Sequence, residues 1–468
     1  MSTTPQDDQS EPIRTLEDAA AYLEGLINRE RSTDYAYRRL DLRPIEALLE
    51  ALGRPDESLS IIHVAGSKGK GSTCLFAESL LLSLGERVGT FTSPHLTSWV
   101  ERFRIDGRAI DGATLAGAVE RIRPIVEALR NGPDETKPSF FDATTAVALL
   151  VFADSGVDRV LLEVGLGGRL DSTNAVTPDV TCITSIELEH TDKLGDTEAL
   201  IAGEKAGILK AGILGVVGPL RDEAMSVVLT RAAQVGTQLR TFGVDYRIEA
   251  GDVPDEALRL DALDGFRVAC GLATPGEAAR TNASIAIACV RALGVHDDEA
   301  VARACRTALA ACALPGRIER LPADPMVIVD SAHTARSAAV LAETLATLAP
   351  GGFDLVLSVS GDKELDDVLR PLLEAPGRGR IVTTRAEPAR SLPADWLAKR
   401  IDELAERLGM GWEAISPLAI EDPDEAMRVA RSQLESGRML CAAGSVYLAG
   451  IARRVLGGSP VQGGVPRR

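Results

Sequence analysis

The strongest constraint on the fold is a glycine-rich turn between a short apolar run and a segment with helical periodicity. Residues 61–65 read IIHVA, residues 66–73 read GSKGKGST, and helical spacing of apolar positions continues to residue 84. Glycines allow successive backbone N–H groups to turn towards phosphate oxygens. The N-terminus of the following helix adds the positive end of its dipole. The order strand, turn, helix predicts the entry to an α/β nucleotide-binding fold.

Lysine and hydroxyl side chains in this turn indicate a phosphate site. Lys70 would supply a cation at the β- and γ-phosphates. The spacing departs from the usual G-x-x-x-x-G-K-[ST] pattern, and a glycine-rich loop with a surface lysine is the alternative. The flanking strand and helix favour nucleotide binding. The predicted nucleotide-binding residues of the turn are Ser67, Lys68, Gly69, Lys70, Gly71 and Ser72.

Short apolar strands alternate with helices along most of the chain, which indicates a mainly parallel sheet covered on both faces. We therefore predict an α/β protein with an N-terminal P-loop ATPase-like domain and a smaller C-terminal Rossmann-like α/β domain. The predicted units are a disordered N-terminus (1–15), the first domain (16–314), the second domain (315–456) and a flexible tail (457–468). Residues 212–274 show a weaker pattern and are expected to hold a small β-rich extension.

Composition limits the classes of partner. The 468 residues carry a formal net charge of -17, which would repel nucleic acid because its binding rests largely on Lys and Arg contacts to phosphate. No run of about 18 uncharged apolar residues predicts a membrane span, and the polar N-terminus lacks the pattern of a secretory signal. The seven cysteines form no C-x-x-C pair. Reduced thiols in a cytoplasmic protein are therefore expected.

Further motifs, taken with the glycine-rich turn, resemble one family. They are TSPHL at residues 92–96, EVGLGGRLD at 163–171, HTD at 190–192, EKAGI at 204–208, LPGR at 314–317, DSAH at 330–333 and GSVY at 444–447. Their identity and order resemble the Mur ligase superfamily, and more narrowly its folylpolyglutamate synthase and dihydrofolate synthase branch. The resemblance implies an ATP-dependent amide ligase that adds L-glutamate to a pterin or folate carboxylate through an acyl phosphate.

The resemblance also implies a metal site for one or two Mg²⁺ ions. Glu163 ends a predicted strand, where α/β active sites gather, and by similarity it binds Mg²⁺ with Ser93 and, for a second ion, His190. A solvated strand end and a hydrogen-bonded loop histidine are the alternatives for Glu163 and His190. The matching lysine of the family is carbamylated, which implies a carbamate on Lys205. Catalytic roles are implied for Lys70, Lys205 and His333.

Nucleotide and amino-acid contacts are implied near the predicted domain boundary. By similarity, Asn282 contacts adenine, while Arg317 and Asp330 hold nucleotide phosphate or ribose. A guanidinium fork suits phosphate, and a carboxylate can accept from ribose hydroxyls. A helix cap for Asn282 and a structural ion pair for the other two are the alternatives. His333 and Ser445 are expected to line the pocket for the incoming amino acid, which would make the second domain the amino-acid-binding one.

Two stretches resemble the pterin-side site of the family. The first contains Ser139, Phe140, Phe141 and Asp142, and the second contains Leu170, Asp171 and Ser172. An aromatic wall and a carboxylate suit a flat heterocycle rich in N–H donors. One of the two phenylalanines is expected to belong to the core instead.

Departures from the family pattern leave the acceptor acid open. Ser67 and Lys68 replace a usual Thr-Asn pair, Asp142 stands where Glu is common, residues 187–189 read ELE, and residues 34–37 read DYAY where pterin contacts are expected. One alternative is a Mur-like ligase that joins an amino acid to another acid. Another is a nucleotide-binding protein without ligase activity. The expected partners are ATP, L-glutamate and a pterin or folate acid, with no nucleic acid and no membrane, and the expected state is a monomer.

Overall fold

The structure is a computed structural model that describes residues 11–27, 41–251, 257–361, 365–410 and 416–457. Its largest sheet has eight strands in the order β4-β3-β2-β5-β1-β6-β7-β8. The strands are β1 (Ile61–Ala65), β2 (Val88–Phe91), β3 (Phe103–Ile105), β4 (Arg108–Ala109), β5 (Arg159–Glu163), β6 (Val180–Ile183), β7 (Leu214–Val217) and β8 (Leu239–Thr241). All pairings from β2 to β8 are parallel, and β3 and β4 add an antiparallel edge.

The central strands explain where the site lies. Every residue of β1 is buried, as expected for a parallel strand covered on both faces. Because β1 lies between β5 and β6 and runs parallel to both, the loops after these three strands meet at one edge of the sheet. That edge carries the glycine-rich turn and the end of β5.

Helices cover both faces of this sheet. They are α1 (Leu16–Glu24), α2 (Arg43–Ala51), α3 (Lys70–Ser83), α4 (Gly112–Arg130), α5 (Phe140–Ser155), α6 (Thr191–Leu194), α7 (Glu198–Lys205), α8 (Asp222–Val235), α9 (Glu277–Ala292) and α10 (Asp298–Ala308). Helices α1, α2, α4 and α5 share one core cluster, and α3, α9 and α10 share another on β1 and β6. The layered α/β architecture predicted from the sequence is confirmed.

The β-rich extension is shorter than predicted. Strands β7 and β8 belong to the large sheet, and helix α8 connects them. Residues 212–241 therefore do not belong to an extension. A separate antiparallel sheet is formed by β9 (Tyr246–Ala250), β10 (Leu258–Ala262) and β11 (Arg267–Cys270). The prediction went wrong because β7 is only four residues long, and a short apolar run carries little periodicity.

A second α/β unit follows. Its strands are β12 (Glu319–Leu321), β13 (Val327–Val329), β14 (Phe353–Leu357), β15 (Arg378–Thr383), β16 (Leu418–Ala419) and β17 (Met439–Ala443), in the sheet order β12-β13-β17-β14-β15-β16. Its helices are α11 (Ala335–Leu348), α12 (Leu365–Glu374), α13 (Ala394–Arg407), α14 (Pro423–Ser432) and α15 (Val446–Leu456). Leu314 packs in a core cluster of the first unit and Ile318 against one of the second, so the chain passes between them there.

The structure describes only part of the two terminal segments that were predicted to be disordered or flexible. Residues 11–15 are described, and within them Ile13 is buried, its N–H donates to Glu120 Oε2 over 3.0 Å, and Thr15 caps α1. The expected disorder of residues 1–15 therefore does not extend to Ile13 or Thr15. Residues 1–10, most of the predicted tail (458–468) and the DYAY segment (34–37) lie outside the described residues. Within the described part of the chain, no helix is both long and apolar enough to cross a membrane.

Candidate active site

The glycine-rich turn after β1 is held in place by close neighbours. Gly66 and Gly69 have φ values of 150° and 84°, which favour glycine. A side chain at Gly66 would overlap Thr184, and one at Gly69 would overlap the Asn282 amide. The backbone N–H groups of Ser67 and Lys68 donate to Ser185. The turn is therefore fixed by the loop after β6 and by α9, which brings Asn282 to the predicted nucleotide site.

Lys70 is the first residue of α3, and its Nζ donates to the backbone oxygen of Gly66 over 2.9 Å. Its amine thus lies across the mouth of the turn. Ser72 is buried in the first turn of α3, while Lys68 and Gly71 complete the loop around Lys70. The predicted phosphate-binding residues are all brought together at one helix N-terminus, where backbone N–H groups and the helix dipole favour an anion.

A buried carboxylate faces this turn. Glu163 ends β5, is only 3% exposed, and its Oε2 accepts from the Ser93 N–H over 2.9 Å. A Cβ placed on Gly71 would lie 3.3 Å from Glu163 Oε2 and 3.4 Å from Arg317 Nη2. Burial raises the pKa of Glu163, against the opposing effects of Lys70, the Ser93 N–H and Arg317. This carboxylate therefore lies where a bound cation would favour its ionised form.

The donor set near Glu163 fits a metal that is shared with a nucleotide. Among the described residues, no group of three or more His, Cys, Asp and Glu side chains could hold a metal by itself. His190 is exposed and precedes α6 with a φ of 45°. Mg²⁺ usually takes one or two carboxylates and completes its shell with water and substrate phosphates. Glu163 beside the glycine-rich turn, where nucleotide phosphate is predicted to bind, meets that requirement.

Lys205 lies beneath the same turn. This last residue of α7 is 1% exposed, and its Nζ donates to Gly66 O and to Glu189 Oε1, each over 2.9 Å. Burial lowers the pKa of Lys205 to about 8, although the neighbouring Glu189 opposes the shift. For Glu189, burial alone would raise the pKa, but Lys205, Lys70 and Lys68 together hold it below its usual value. Sequence reasoning missed Glu189, and only its position beside His190 could have indicated it.

The segment between the two units brings two more predicted residues to the turn. Arg317 approaches Gly71 as described above, and its Nη1 donates to Pro315 O over 3.2 Å. Asp330 accepts from the backbone N–H groups of Ile318 and Ala332, each over 2.7 Å. Burial raises the pKa of Asp330 to about 6, against these two hydrogen bonds and Arg317. Asp330 therefore shapes the segment that carries Arg317.

The second unit presents its predicted residues at helix starts. His333 precedes α11 and its Nδ1 lies 2.8 Å from Ser331 O, while Ser445 is buried and caps α15. Near His333, the Arg336 guanidinium reaches across to Glu187 Oε1 over 3.0 Å. Glu187 is tied to the turn, because its N–H donates to Ser67 Oγ over 3.0 Å. The start of α11 therefore faces the glycine-rich turn.

The two carboxylates predicted for the pterin side, Asp142 and Asp171, organise the loops around them. Asp142 is buried and accepts from Ser139 N–H and from the Ser172 hydroxyl, over 2.7 and 2.6 Å. Asp171 is also buried and accepts from Leu166 N–H over 2.8 Å and from Thr173. The two predicted stretches are thus brought together by Asp142 and Ser172. The capping pattern S-x-x-D from Ser139 to Asp142 was readable from the sequence.

The two phenylalanines differ, as the sequence predicts. Phe140 is 2% exposed and packs edge-on against Trp99, with ring centroids 5.4 Å apart, so it belongs to the core. Phe141 is partly exposed and lies against Gly165, where a side chain would overlap its ring. Leu170 is also partly exposed. Phe141 and Leu170 are the apolar groups of these stretches that remain accessible.

This fold and phosphate turn define a two-unit, nucleotide-dependent enzyme of the Mur ligase class. The family model "Mur ligase middle domain" matches residues 64–290, and "Mur ligase, glutamate ligase domain" matches residues 316–446. The chain belongs to the dihydrofolate synthase/folylpolyglutamate synthase family. It is 35% identical to the Mycobacterium tuberculosis enzyme of that name over 90% of each chain, and 32% identical to that of Bacillus subtilis over 88% of this chain and 94% of the relative.

Solved structures give the same result. A Mycobacterium tuberculosis folylpolyglutamate synthase complexed with ADP has a TM-score of 0.82 and 33% identity, covering 95% of this chain and 99% of the other. Escherichia coli FolC in complex with DHPP and ADP has a TM-score of 0.79 and 27% identity over 95% and 99%. The bifunctional Yersinia pestis enzyme complexed with AMPPNP and Mn ion has a TM-score of 0.77 and 30% identity over 95% and 99%.

Proposed function

We propose that this chain is an ATP-dependent ligase that activates the carboxylate of a pterin or folate acid and joins it to the amine of L-glutamate. One observation carries the proposal: the buried Glu163 carboxylate faces the glycine-rich turn. Lys70 and the buried Lys205 both donate to the Gly66 oxygen of that turn. Solved complexes of the relatives support the proposed nucleotide, metal and small-molecule substrate. They contain ADP or AMPPNP, Mn ion and DHPP.

The first step is phosphoryl transfer. A carboxylate oxygen of the acid attacks the γ-phosphorus of ATP, the bond to the β-γ bridging oxygen breaks, and ADP leaves. Backbone N–H groups of the turn and the Lys70 amine stabilise charge on the phosphate oxygens. Asn282, packed against Gly69, supports adenine binding, and Arg317 supports phosphate binding from the other unit.

Ser93, Glu163 and His190 would hold the divalent metal, which would neutralise charge on the β- and γ-phosphates when bound. Glu163 supplies a carboxylate already pointed at the turn. The proposed role of Ser93 is consistent with its backbone contact to Glu163. His190 is exposed and follows Glu189, the partner of Lys205, and its proposed role is to hold the second of two ions.

The second step is amide formation. The uncharged amine of L-glutamate attacks the acyl carbon, phosphate leaves with the electrons of the broken C–O bond, and the amine loses a proton. His333 and Ser445, at the starts of α11 and α15, are the proposed contacts for the amino acid. Closure of the second domain over the turn would exclude water that otherwise hydrolyses the acyl phosphate.

We include in this proposal a carbamate on Lys205. Only an uncharged amine reacts with carbon dioxide, and burial lowers the pKa of Lys205 to about 8. An ammonium beside a divalent cation is repelled, whereas a carbamate is attracted. At about 4 Å and an effective dielectric of about 20, two unit charges interact by roughly 4 kcal/mol. Reversing the sign of that interaction is the physical benefit of the modification.

The acceptor acid is the less constrained half of the proposal. Phe141 and Leu170 offer apolar surface for a flat ring, and Asp142 and Asp171 hold the loops around it. A Mur-like ligase acting on another acid would share the glycine-rich turn but would not need this surface.

The proposal also includes a monomer in the cytoplasm, which size-exclusion chromatography and cell fractionation would test.

The test is an ADP-release assay with purified protein, ATP, Mg²⁺ and L-glutamate, run with and without dihydropteroate or a reduced folate. Product mass should increase by one glutamyl residue. Acids without a pterin ring, assayed in parallel, distinguish the alternative ligase, because only that enzyme would use them in preference.

A further inference from the structure

Helix α15 contains a glycine where the two units meet. Gly450 lies in the middle of α15, where glycine is less favourable than alanine. A Cβ at this position would overlap the carbonyl oxygen of Leu96 and lie 2.9 Å from its carbonyl carbon. The helix of the second unit is therefore in direct backbone contact with the loop of residues 93–98, which we call the Ser93 loop. Alanine cannot fit there unless one of the two backbones moves.

The Leu96 side chain adds to this contact between the two units. It packs against the core cluster of the second unit that contains Leu448, Ala449 and Ala452. A Cβ on Gly316, in the segment joining the units, would lie 3.1 Å from Leu96 Cδ2. Leu96 is thus lodged between α15 and the joining segment, although it belongs to the first unit.

The other end of the Ser93 loop reaches the proposed metal site. The Ser93 N–H donates to Glu163 Oε2 over 2.9 Å. From Leu96 onwards, the Glu101 carboxylate accepts from the N–H groups of Leu96, Thr97 and Ser98, over 2.8, 3.2 and 3.1 Å. On the Ser93 side, Arg102 holds the loop twice: its Nε donates to His95 Nδ1 over 3.0 Å, and its carbonyl oxygen accepts from the Thr92 N–H over 3.1 Å. One carboxylate that holds three successive amides makes the loop stiff. A displacement at Leu96 is therefore transmitted to Ser93 instead of being absorbed.

We infer that Gly450 is a positioning residue: the close approach it permits couples the placement of the second unit to the orientation of the Glu163 carboxylate. The inference rests on the proposed function for the identity of the metal–nucleotide site. Gly450 touches neither substrate nor metal. Its effect passes through the Leu96 backbone, the braced loop and the Ser93 N–H. Metal affinity at the turn then depends on where the second unit lies.

The test compares Gly450→Ala with Gly117→Ala. Gly117 is also inside a helix, α4, but it is exposed and nothing lies within 4 Å of an added Cβ. ADP binding is measured by calorimetry at increasing MgCl₂, with thermal unfolding of each variant alongside. Gly450→Ala should weaken the Mg²⁺-dependent part of ADP binding about tenfold, as loss of an outer partner of a metal ligand does. Binding without Mg²⁺ and all binding by Gly117→Ala should stay as in the wild type.

A general loss of stability would lower both parts of ADP binding, so the split between them reports positioning. If Gly450→Ala does not fold, Leu96→Ala is measured instead, since it removes the side-chain packing that holds the Ser93 loop against α15, and the same loss of Mg²⁺-dependent ADP binding is expected. Wild-type Mg²⁺ dependence in the folded variant overturns the inference. The measurement needs only ADP and Mg²⁺, so it succeeds or fails independently of whether a pterin acid is the acceptor.

Discussion

The Lys205 amine donates to the backbone oxygen of Gly66 over 2.9 Å, which joins the end of α7 to the first residue of the phosphate turn. Lys70 donates to the same oxygen from the other direction, also over 2.9 Å. Two lysines therefore meet at one carbonyl group, and Glu189 is the carboxylate that compensates the buried one. Because Lys205 is paired with Glu189, and is an anion once carbamylated as proposed, Lys70 is the member of this lysine pair that supplies positive charge to a polyanionic nucleotide.

Lys205→Ala should lose most of the ligase activity, because the residue under the turn is proposed to act as a carbamate. A short carboxylic acid added to the assay should restore part of it. Lys210→Ala is the control, since Lys210 is a partly buried lysine whose Nζ donates to Asn174 O over 2.9 Å instead. Full activity in Lys205→Ala would remove this residue from the mechanism.

The same site predicts a pH dependence. The folded-state pKa of Lys205, about 8, lies below its ordinary value of 10.5. The uncharged amine, and with it the carbamate, should therefore increase as the pH rises through 8. Between pH 8 and 10.5 the unfolded chain binds more protons, so this residue destabilises the fold less as pH increases. Carbon-13 bicarbonate NMR should show a carbamate signal that grows from pH 7 to 9, and a signal absent throughout contradicts the modification.

Lys70→Ala should reduce turnover by about a hundredfold or more, since one preorganised charge on the transferred phosphoryl group is lost. The fold should persist, because the side chain is partly exposed and its one described hydrogen bond is to Gly66. Circular dichroism and single-turnover phosphate release measure the two effects. Near-normal turnover would show that the turn does not act on the reacting phosphate.

Glu163→Gln should raise the Mg²⁺ concentration needed for activity by more than the roughly tenfold that loss of an outer partner costs. His190→Ala should shift the same requirement if it serves a second ion. His296→Ala is a matched control, because His296 contacts Glu86 instead, 2.6 Å away. Wild-type Mg²⁺ titrations in both variants would mean that these side chains are not ligands.

Asp171→Ala should weaken binding of the pterin acid more than binding of ATP, and it should also destabilise the fold. The buried carboxylate accepts from Leu166 N–H, and leaving such a donor unpaired costs about 1–3 kcal/mol. Michaelis constants for both substrates and a denaturant titration separate the two effects. An equal loss for ATP and the pterin acid would assign Asp171 a purely structural role.

Local signals in the sequence predicted the fold well. The apolar run of residues 61–65 matches β1 to the residue, and the helical spacing that continues to residue 84 matches α3, which ends at Ser83, because the glycine-rich turn marks where one element ends and the next begins. The turn after β1 was equally readable. Strands β7 and β8 were assigned to an extension, since each is short and pairs with a neighbour that only the sheet defines.

Contacts between distant segments were beyond the sequence. Glu189 forms an ion pair with Lys205, although α6 and most of α7 separate them in the chain. Leu96 of the first unit contacts Gly450 of the second. Nothing local marks either pair. The resemblance named Lys205, but its burial and its contact with Gly66 needed coordinates. The roles of Asp142 and Asp171 as loop organisers likewise follow from their hydrogen bonds.

We propose that this chain forms an amide between a pterin acid and L-glutamate at the expense of ATP. The most direct measurement is ADP release with each substrate omitted in turn, combined with mass spectrometry of the acid. We predict ADP release only when ATP, Mg²⁺, L-glutamate and dihydropteroate or a reduced folate are all present, with one glutamyl residue added per ADP. ADP release that is unchanged without the pterin acid, or a glutamylated product from another acid alone, would contradict the account.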